Sequence, residues 1–377
     1  MAVHGTVVAG FEGVREEFAA FLAAEEHPPG AQLAVYRGGE RVVDLWSEGV
    51  EAESLIGVFS STKGAAYLVA ALLVQDGLLD LDRTVASYWP DFAAEGKGGI
   101  TLRELLAHRA GVIGLDAGFT ARELADDRAI AARLAEQRPF WQPGRFFGYH
   151  AFVIGALVGE VVFRATGRTL HAWYEERVRA PYGLDLWLGL PESEESRFLS
   201  TLPMLPTPQQ AAEIEAAAAS RYSMVGIAFN EHAPGNVELY DFPNSRAVRA
   251  GGQASAGGLG SARGLAGMYA AAAFGLDGRG PLLKPDTAAE FARIHSEGND
   301  LVGGAPKAFG LGFQSYGSRF PALGAGAFGH SGAAGSLGFA DPRQGFAYGY
   351  TRRRFAFPGG AAPENERLLW SVVRALG

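Results

Sequence analysis

Residues 58–82, VFSSTKGAAYLVAALLVQDGLLDLD, place the hydroxyl of Ser60 three residues before Lys63 at the start of a long apolar run. Apolar side chains cover nearly every face of the helix predicted after Lys63, which is typical of a helix buried at the centre of a domain. Lys63 is therefore expected in the first turn of a buried helix. Because positions i and i+3 share a helix face, the Ser60 hydroxyl should lie close to the lysine amine.

This pairing suits nucleophilic catalysis. A serine hydroxyl attacks poorly unless a base removes its proton, and a lysine can serve as that base once burial lowers its pKa from the usual value of about 10.4. Free N–H groups at the helix start can also face a developing oxyanion. The alternative is an ordinary serine N-cap followed by a lysine that extends to solvent. This segment alone does not decide between them.

Composition restricts the class of partner. The 377 residues are 48% hydrophobic, enough to bury a large core in one or two domains. The net charge of −8 disfavours a nucleic-acid or anionic-membrane partner. Neither a signal peptide nor an apolar run of transmembrane length is visible, which predicts a cytoplasmic protein. A small molecule is the expected partner, and the pattern does not specify an oligomeric state.

Metal and cofactor chemistry find no support in the sequence. Cysteine is absent, and none of the eight histidines has a metal-ligand spacing such as H-E-x-x-H. A G-x-G-x-x-G spacing begins at Gly324, but it leads into β-like sequence rather than opening a helix, so dinucleotide binding is not predicted. We therefore expect no metal and no cofactor.

The hydrophobic pattern predicts an α+β fold. A helical pattern over residues 11–25 precedes two β-like runs separated by Gly38 and Gly39. Helical patterns then dominate residues 61–166, and a closing helix is predicted over 363–376. The β-like runs of the last third are centred near Phe313, Leu337 and Tyr348.

Strands at both chain ends with helices between them predict one antiparallel sheet flanked by terminal and central helices. Residues 1–80 and 250–377 are interpreted as a discontinuous sheet domain. Residues 81–249 are interpreted as an inserted, mainly helical region. Within that region the proline-containing segment over about 190–249 is irregular and lid-like.

Two later stretches complete a set of motifs. The sequence WQPGRFFGYHAF sets Tyr149 between a Pro-Gly turn and an apolar helix, and FGHSGAAGSLGF sets His330 and Ser331 in a glycine-rich, β-like context. With Ser60 and Lys63, this order resembles the serine β-lactamase-like superfamily, which includes class C β-lactamases, D-alanyl-D-alanine carboxypeptidases and family VIII carboxylesterases. The resemblance covers nearly the whole chain, and family VIII carboxylesterases match best.

The resemblance implies a β-lactamase/transpeptidase-like fold and a role for each motif. In that family the serine attacks the acyl carbon, while the lysine and the tyrosine share the proton transfers. These roles correspond to Ser60, Lys63 and Tyr149. The backbone N–H groups of Ser60 and Ala333 would form the oxyanion hole. The wall that binds substrate would be the strand motif His330, Ser331 and Gly332, and we expect residues 330–333 on an edge strand of the sheet.

Two departures from the family pattern bear on the substrate. Ala151 stands where β-lactamases and peptidases usually carry the asparagine of a Y-x-N motif, so the amide of a lactam or peptide would be anchored less well. His330 replaces the lysine of class C β-lactamases, and an imidazole is mostly neutral at pH 7. Both differences favour uncharged, short-chain carboxylic esters over charged lactams and peptides.

Three functions remain open from the sequence: an ester hydrolase, an amide-directed relative or acyl transferase that uses the same acyl-enzyme, and a non-catalytic binding module of the same fold. The chain lacks the G-x-S-x-G elbow of α/β-hydrolases, so the nucleophile is assigned to Ser60. His108, within LLAHRAG, is interpreted as structural. Trp141 and Trp187 are interpreted as packing residues rather than substrate contacts.

Overall fold

The computed structural model describes residues 1–234 and 236–377. Within these residues it has twelve strands and fourteen α-helices, labelled in chain order, together with four short 3-10 helices and one π-helical turn. The strands are β1 Val3–Val7, β2 Ala31–Arg37, β3 Glu40–Ser47, β4 Ile56–Gly57, β5 Leu186–Trp187, β6 Leu259–Gly260, β7 Ser296–Asn299, β8 Pro306–Phe309, β9 Gln314–Ser315, β10 Phe328–Ser331, β11 Leu337–Asp341 and β12 Phe346–Arg352.

The helices carry most of the central part of the chain. They are α1 Glu12–Ala24, α2 Lys63–Gln75, α3 Val85–Tyr88, α4 Leu102–Leu106, α5 Ala121–Leu124, α6 Asp127–Glu136, α7 Ile154–Thr166, α8 Leu170–Tyr174, α9 Pro208–Ala217, α10 Met224–Ala228, α11 Arg246–Gly251, α12 Ala262–Ala273, α13 Pro285–Ala292 and α14 Glu364–Leu376. Within the described residues, no helix is both long and apolar enough to cross a membrane.

One large sheet organises the molecule. Its nine strands run in the order β1-β3-β2-β12-β11-β10-β9-β8-β7, and every neighbouring pair is antiparallel. Strands from both ends of the chain meet where β2 pairs with β12. The second, three-stranded sheet has the order β4-β6-β5. The predicted α+β class with an antiparallel sheet built from both ends is confirmed, whereas the division into two domains with a lid-like segment stays a prediction.

The tight β2–β3 hairpin is explained by its glycines. Gly38 and Gly39 have φ angles of +54° and +88°. A two-residue turn of this hand needs positive φ at both central positions, which glycine adopts without a steric penalty. The hairpin predicted from these two residues is confirmed.

The two faces of the large sheet pack on different helices. On one face, α1 and α14 cover a core that includes Phe18, Tyr348 and Leu368. On the other face, α12 lies against β2, β11 and β12, and the second core extends from it into α2 and α7. Every residue of α2 from Lys63 to Leu73 is buried, as its apolar pattern predicts. The start of α2 therefore lies deep in the protein.

One structural expectation was wrong. The strand that carries His330 was expected at the edge of the sheet, but β10 pairs with β11 on one side and with β9 on the other. The short strand β9 reaches only Phe328 and Gly329, so Ser331 has no strand partner on that side. The open edge is thus confined to the last two residues of β10, His330 and Ser331, and the turn that follows them. Because β9 has only two residues, its sequence contains no periodic pattern from which this pairing could be predicted.

Candidate active site

Ser60 lies in a 3-10 helix, Phe59–Thr62, that leads directly into α2. Its neighbour Phe59 has a φ of +47°, a left-handed conformation that costs a non-glycine residue roughly 1–2 kcal/mol. The ring of Phe59 packs edge-on against Phe355, with ring centroids 5.0 Å apart, and this contact holds the turn in place. Residues with strained backbones cluster at functional sites. The bend leaves Ser60 partly exposed while its neighbours are buried.

Lys63 is fully buried, and its amine is held by three oxygens. Its Nζ donates to the carbonyl oxygens of Ala151, at 2.6 Å, and Ser255, at 2.8 Å, and lies 3.2 Å from Ser60 Oγ. No carboxylate pairs with it in the described chain, and burial alone lowers its pKa well below the usual value. A neutral amine has two N–H groups and one lone pair. Because the two carbonyls take both N–H groups, the lone pair is left for the Ser60 hydroxyl.

Tyr149 approaches the same amine from the helical region. The centroid of its ring is 4.9 Å from Lys63 Nζ. Burial raises the pKa of its phenol, and a contact with the Ser60 side chain partly offsets that rise. Its backbone N–H donates to the buried carboxylate of Asp300 at 2.8 Å. The phenol is therefore a neutral hydroxyl, fixed beside both Ser60 and Lys63, that can pass a proton.

The turn after β10 is locked against the turn that carries Ser60. Ser61 Oγ donates to the His330 carbonyl at 3.1 Å, and Ser336 Oγ donates to the Val58 carbonyl at 2.8 Å. Gly332 lies between these contacts, and a Cβ there would approach Val58 O to 2.2 Å. Only glycine allows the two turns to come this close.

Two backbone N–H groups without a partner among the described residues lie on these two neighbouring turns. The N–H groups of Ser60 and Ala333 have no hydrogen-bond acceptor among residues 1–234 and 236–377. Both residues are partly exposed, unlike most of their neighbours. Two free N–H groups on facing turns are the arrangement that stabilises an oxyanion beside a nucleophile.

Three buried histidines surround the tyrosine. His108, His150 and His330 have no exposed surface. Burial lowers the pKa of His150 to about 4 and the pKa values of His108 and His330 well below the usual value. His330 donates from Nδ1 to the Ser331 carbonyl, and its ring stacks on Tyr149 with centroids 5.9 Å apart. All three imidazoles are therefore neutral. Within the described chain, no group of three or more His, Cys, Asp or Glu side chains is arranged to hold a metal ion.

The His150–His108 contact also defines a tautomer. The backbone N–H of His150 donates to His108 Nδ1 at 3.2 Å. Since that nitrogen accepts, the proton of a neutral His108 is on Nε2, which lies 3.3 Å from the Tyr67 hydroxyl. The structure thus places the buried side chain of His108 in a hydrogen-bonded position beside Tyr149, with ring centroids 5.4 Å apart.

The predicted catalytic residues come together, although the chain separates them by up to 273 positions, from Ser60 to Ala333. Ser331 and Gly332 line the open edge of β10, whereas the His330 side chain is buried behind Tyr149. Trp141 packs on the apolar cluster around Tyr149, and Trp187 packs on a separate small cluster. The catalytic and binding roles of these residues stay predictions.

Sequence reasoning missed the groups that hold the predicted catalytic residues. The carbonyls of Ala151 and Ser255 carry no sequence signal because every residue has one. Asp300 is buried directly after β7, in the sequence EGND, but no pattern in the sequence distinguishes it from a surface carboxylate. Gln314 accepts hydrogen bonds from Ser331 through Oε1, and no sequence pattern indicates this contact either. Only tertiary packing assigns these residues to the site.

The sequence matches the family model described as Beta-lactamase over residues 14–369. It is 32% identical over 382 residues to the Esterase/beta-lactamase LipL of Mycobacterium tuberculosis, covering 94% of this chain and 84% of that protein. Its fold is similar to that of EstA from Arthrobacter nitroguajacolicus Rue61a, with a TM-score of 0.91, 41% identity and coverage of 100% and 99% of the two chains. A family VIII carboxylesterase structure matches with a TM-score of 0.88, 33% identity and full coverage of both chains.

Proposed function

This chain belongs to the beta-lactamase family, and from that membership we propose that it is a serine hydrolase that cleaves short-chain carboxylic esters through an acyl-enzyme on Ser60. The observation that carries the proposal is the environment of Lys63. A buried amine with two carbonyl acceptors and a serine hydroxyl at 3.2 Å is arranged as a base for that hydroxyl.

Acylation begins when Ser60 Oγ attacks the ester carbonyl carbon and gives its proton to Lys63 Nζ. The carbonyl oxygen becomes an oxyanion, which accepts hydrogen bonds from the N–H groups of Ser60 and Ala333. Because these donors are fixed by the two facing turns, they need no reorganisation as the charge develops.

Collapse of the tetrahedral intermediate expels the alcohol. Tyr149 gives its phenolic proton to the departing alkoxide and is re-protonated by Lys63, whose amine lies next to its ring. A phenol with a raised pKa stays protonated until the alkoxide forms, so it is suited to this donation. Water then attacks the acyl-enzyme with the same groups acting in reverse, and the carboxylic acid is released.

The charge around the site supports an uncharged ester. His330 is neutral because burial lowers its pKa, so it offers no positive charge to a substrate carboxylate. The nearby Lys307, with Nζ 5.1 Å from the centroid of the Tyr149 ring, is neutralised by a salt bridge to Asp300. Ala151 has a methyl group within an apolar cluster and no amide for a lactam or peptide. Esters need neither contact, and they have better leaving groups than amides.

The test combines labelling with a substrate panel. A p-nitrophenyl phosphonate should give a single covalent adduct by mass spectrometry, absent in Ser60→Ala and retained in Ser61→Ala. Ser61 is the matched control, because its hydroxyl is fully buried and bonded to the His330 carbonyl. An adduct that survives in Ser60→Ala contradicts the mechanism.

Substrate class is tested separately with p-nitrophenyl esters of increasing acyl length beside a chromogenic cephalosporin. We expect the highest kcat/KM for the short esters and feeble cephalosporin turnover. Faster hydrolysis of the cephalosporin than of every ester would leave the acyl-enzyme in place and assign the protein to the amide-directed alternative. Transfer of the acyl group to an added alcohol would identify an acyl transferase.

A further inference from the structure

Gln314 takes the place of a strand partner for the open end of β10. It lies opposite Gly329 in the β9–β10 register, but its side chain reaches towards Ser331. Its Oε1 accepts from the Ser331 backbone N–H at 3.2 Å, the Ser331 hydroxyl at 3.0 Å and the Tyr316 hydroxyl at 2.6 Å. A backbone N–H can only donate, so these contacts fix which end of the amide is oxygen.

The amide nitrogen of Gln314 is consequently directed away from these donors. Its two N–H groups have no acceptor within the described part of the chain, and the side chain is partly exposed. Gln314 lines a groove of about 630 Å³ together with Lys307, Phe309 and Arg319. A polar group with a fixed orientation and free donors in a largely apolar groove is the kind of group that orients a small ligand.

The groove adjoins the proton donor of the proposed mechanism. The ring of Phe309, which lines the groove, stacks on Tyr149 with an interplanar angle of 6° and centroids 6.1 Å apart. The amine of Lys307, also in the groove, lies 5.1 Å from the centroid of the same ring. The groove therefore adjoins the predicted proton donor through Phe309 and the strand motif through the contacts between Gln314 and Ser331.

We propose that Gln314 is a specificity-determining residue whose Nε2 donates a hydrogen bond to an oxygen in the alcohol arm of the substrate. The inference rests on the proposed ester hydrolysis and names its preferred class: uncharged esters whose alcohol carries an ether or carbonyl oxygen. The Lys307 cation is already paired with Asp300, so it does not select for an anionic arm.

An isosteric pair of substrates tests this role. n-Butyl butyrate and 2-methoxyethyl butyrate differ by the replacement of one methylene with an ether oxygen in the alcohol arm. Their kcat/KM values, measured by titration of the released acid, give a preference ratio for each enzyme. Differences in intrinsic reactivity between the two alcohols are the same for every variant, so only changes in the ratio count.

We expect the preference of the wild type for the methoxyethyl ester to fall by about two- to ten-fold in Gln314→Glu and Gln314→Met, the range that one hydrogen bond contributes. Gln314→Glu is the sharper variant, because it keeps an oxygen for the Ser331 N–H and removes both amide donors. A ratio that is unchanged in Gln314→Glu would overturn the inference, even if both rates fall, because a purely structural role affects both esters alike. If the wild type hydrolysed neither ester, the proposed function itself would be rejected instead.

Discussion

This protein should unfold at a higher pH on acidification than the protonation of its carboxylates alone would cause, because His108, His150 and His330 are buried as neutral imidazoles. Burial lowers the pKa of His150 from 6.5 to about 4, and the pKa values of the other two shift in the same direction. Below pH 6.5 these histidines therefore bind protons in the unfolded chain but stay neutral in the folded chain. Stability is full above that pH and is lost as the pH falls towards the folded pKa.

The size of the effect follows from the His150 values. Between pH 6.5 and about 4, each pH unit lowers the free energy of unfolding by about 1.4 kcal/mol for this one residue. At pH 5 the loss from His150 is about 2 kcal/mol, a large fraction of a typical domain stability of about 5–15 kcal/mol. Asp127 acts in the opposite sense, because burial raises the pKa of its carboxyl. A comparison between variants is needed to isolate the histidine.

Denaturation by urea at pH 8 and pH 5 measures the loss directly. His150→Asn keeps a donor for the Gly148 carbonyl, which accepts from His150 Nδ1 at 2.7 Å, but it does not titrate. We expect its loss of unfolding free energy between the two pH values to be smaller than that of the wild type by about 2 kcal/mol. His27→Asn, at an exposed position, is the control and should behave as the wild type. Equal losses in the wild type and His150→Asn would refute the reasoning.

Three further predictions concern the reaction itself. Lys63→Met should abolish turnover, and Lys63→Arg should not restore it, because a guanidinium stays protonated. In the wild type, kcat/KM should fall as acid protonates Lys63. A pH profile without this fall would contradict the role of Lys63 as the base. Tyr149→Phe should lower kcat about 100-fold or more with native thermal stability, as loss of a proton donor does; an unchanged kcat with alkyl esters would argue against proton delivery. Gly332→Ala should separate the two turns, because its Cβ would press on the carbonyl oxygen of Val58. We expect kcat to fall about 100-fold, the effect of a lost oxyanion donor. Wild-type kinetics would show that the turns need not touch.

The elements that the sequence predicts correctly are those with a local physical signal. The Gly38–Gly39 hairpin follows from backbone freedom at two adjacent positions, and α2 follows from apolar residues on all of its faces. The nearness of Ser60 to Lys63 is also local, since three residues of helical chain separate them. The position of Tyr149 could be inferred only from resemblance to a family, because no local rule brings it to Lys63.

The remaining features depend on which surfaces meet in the folded chain. The environment of Lys63 needs carbonyls from Ala151 and Ser255, which are 88 and 192 positions away. The pairing of β10 with β9 rests on two residue pairs, too few to leave a periodic pattern. The orientation of Gln314 is set by Ser331 and Tyr316 and has no counterpart in the order of residues.

The features that lower stability are gathered around Ser60. Phe59 holds a left-handed backbone, Lys63 is buried without a counter-ion, and neutral imidazoles pack behind Tyr149. Each would be removed by a substitution that relaxes the site, and each has a chemical use: the bend exposes the hydroxyl, and burial keeps the amine unprotonated. A charged group near Lys63 would undo this, because a carboxylate favours the ammonium form and a protonated imidazole repels it. The low pKa of the surrounding histidines therefore does more than reflect burial. It leaves these imidazoles without a positive charge that would act on the amine, so the low pKa of Lys63 follows from its burial.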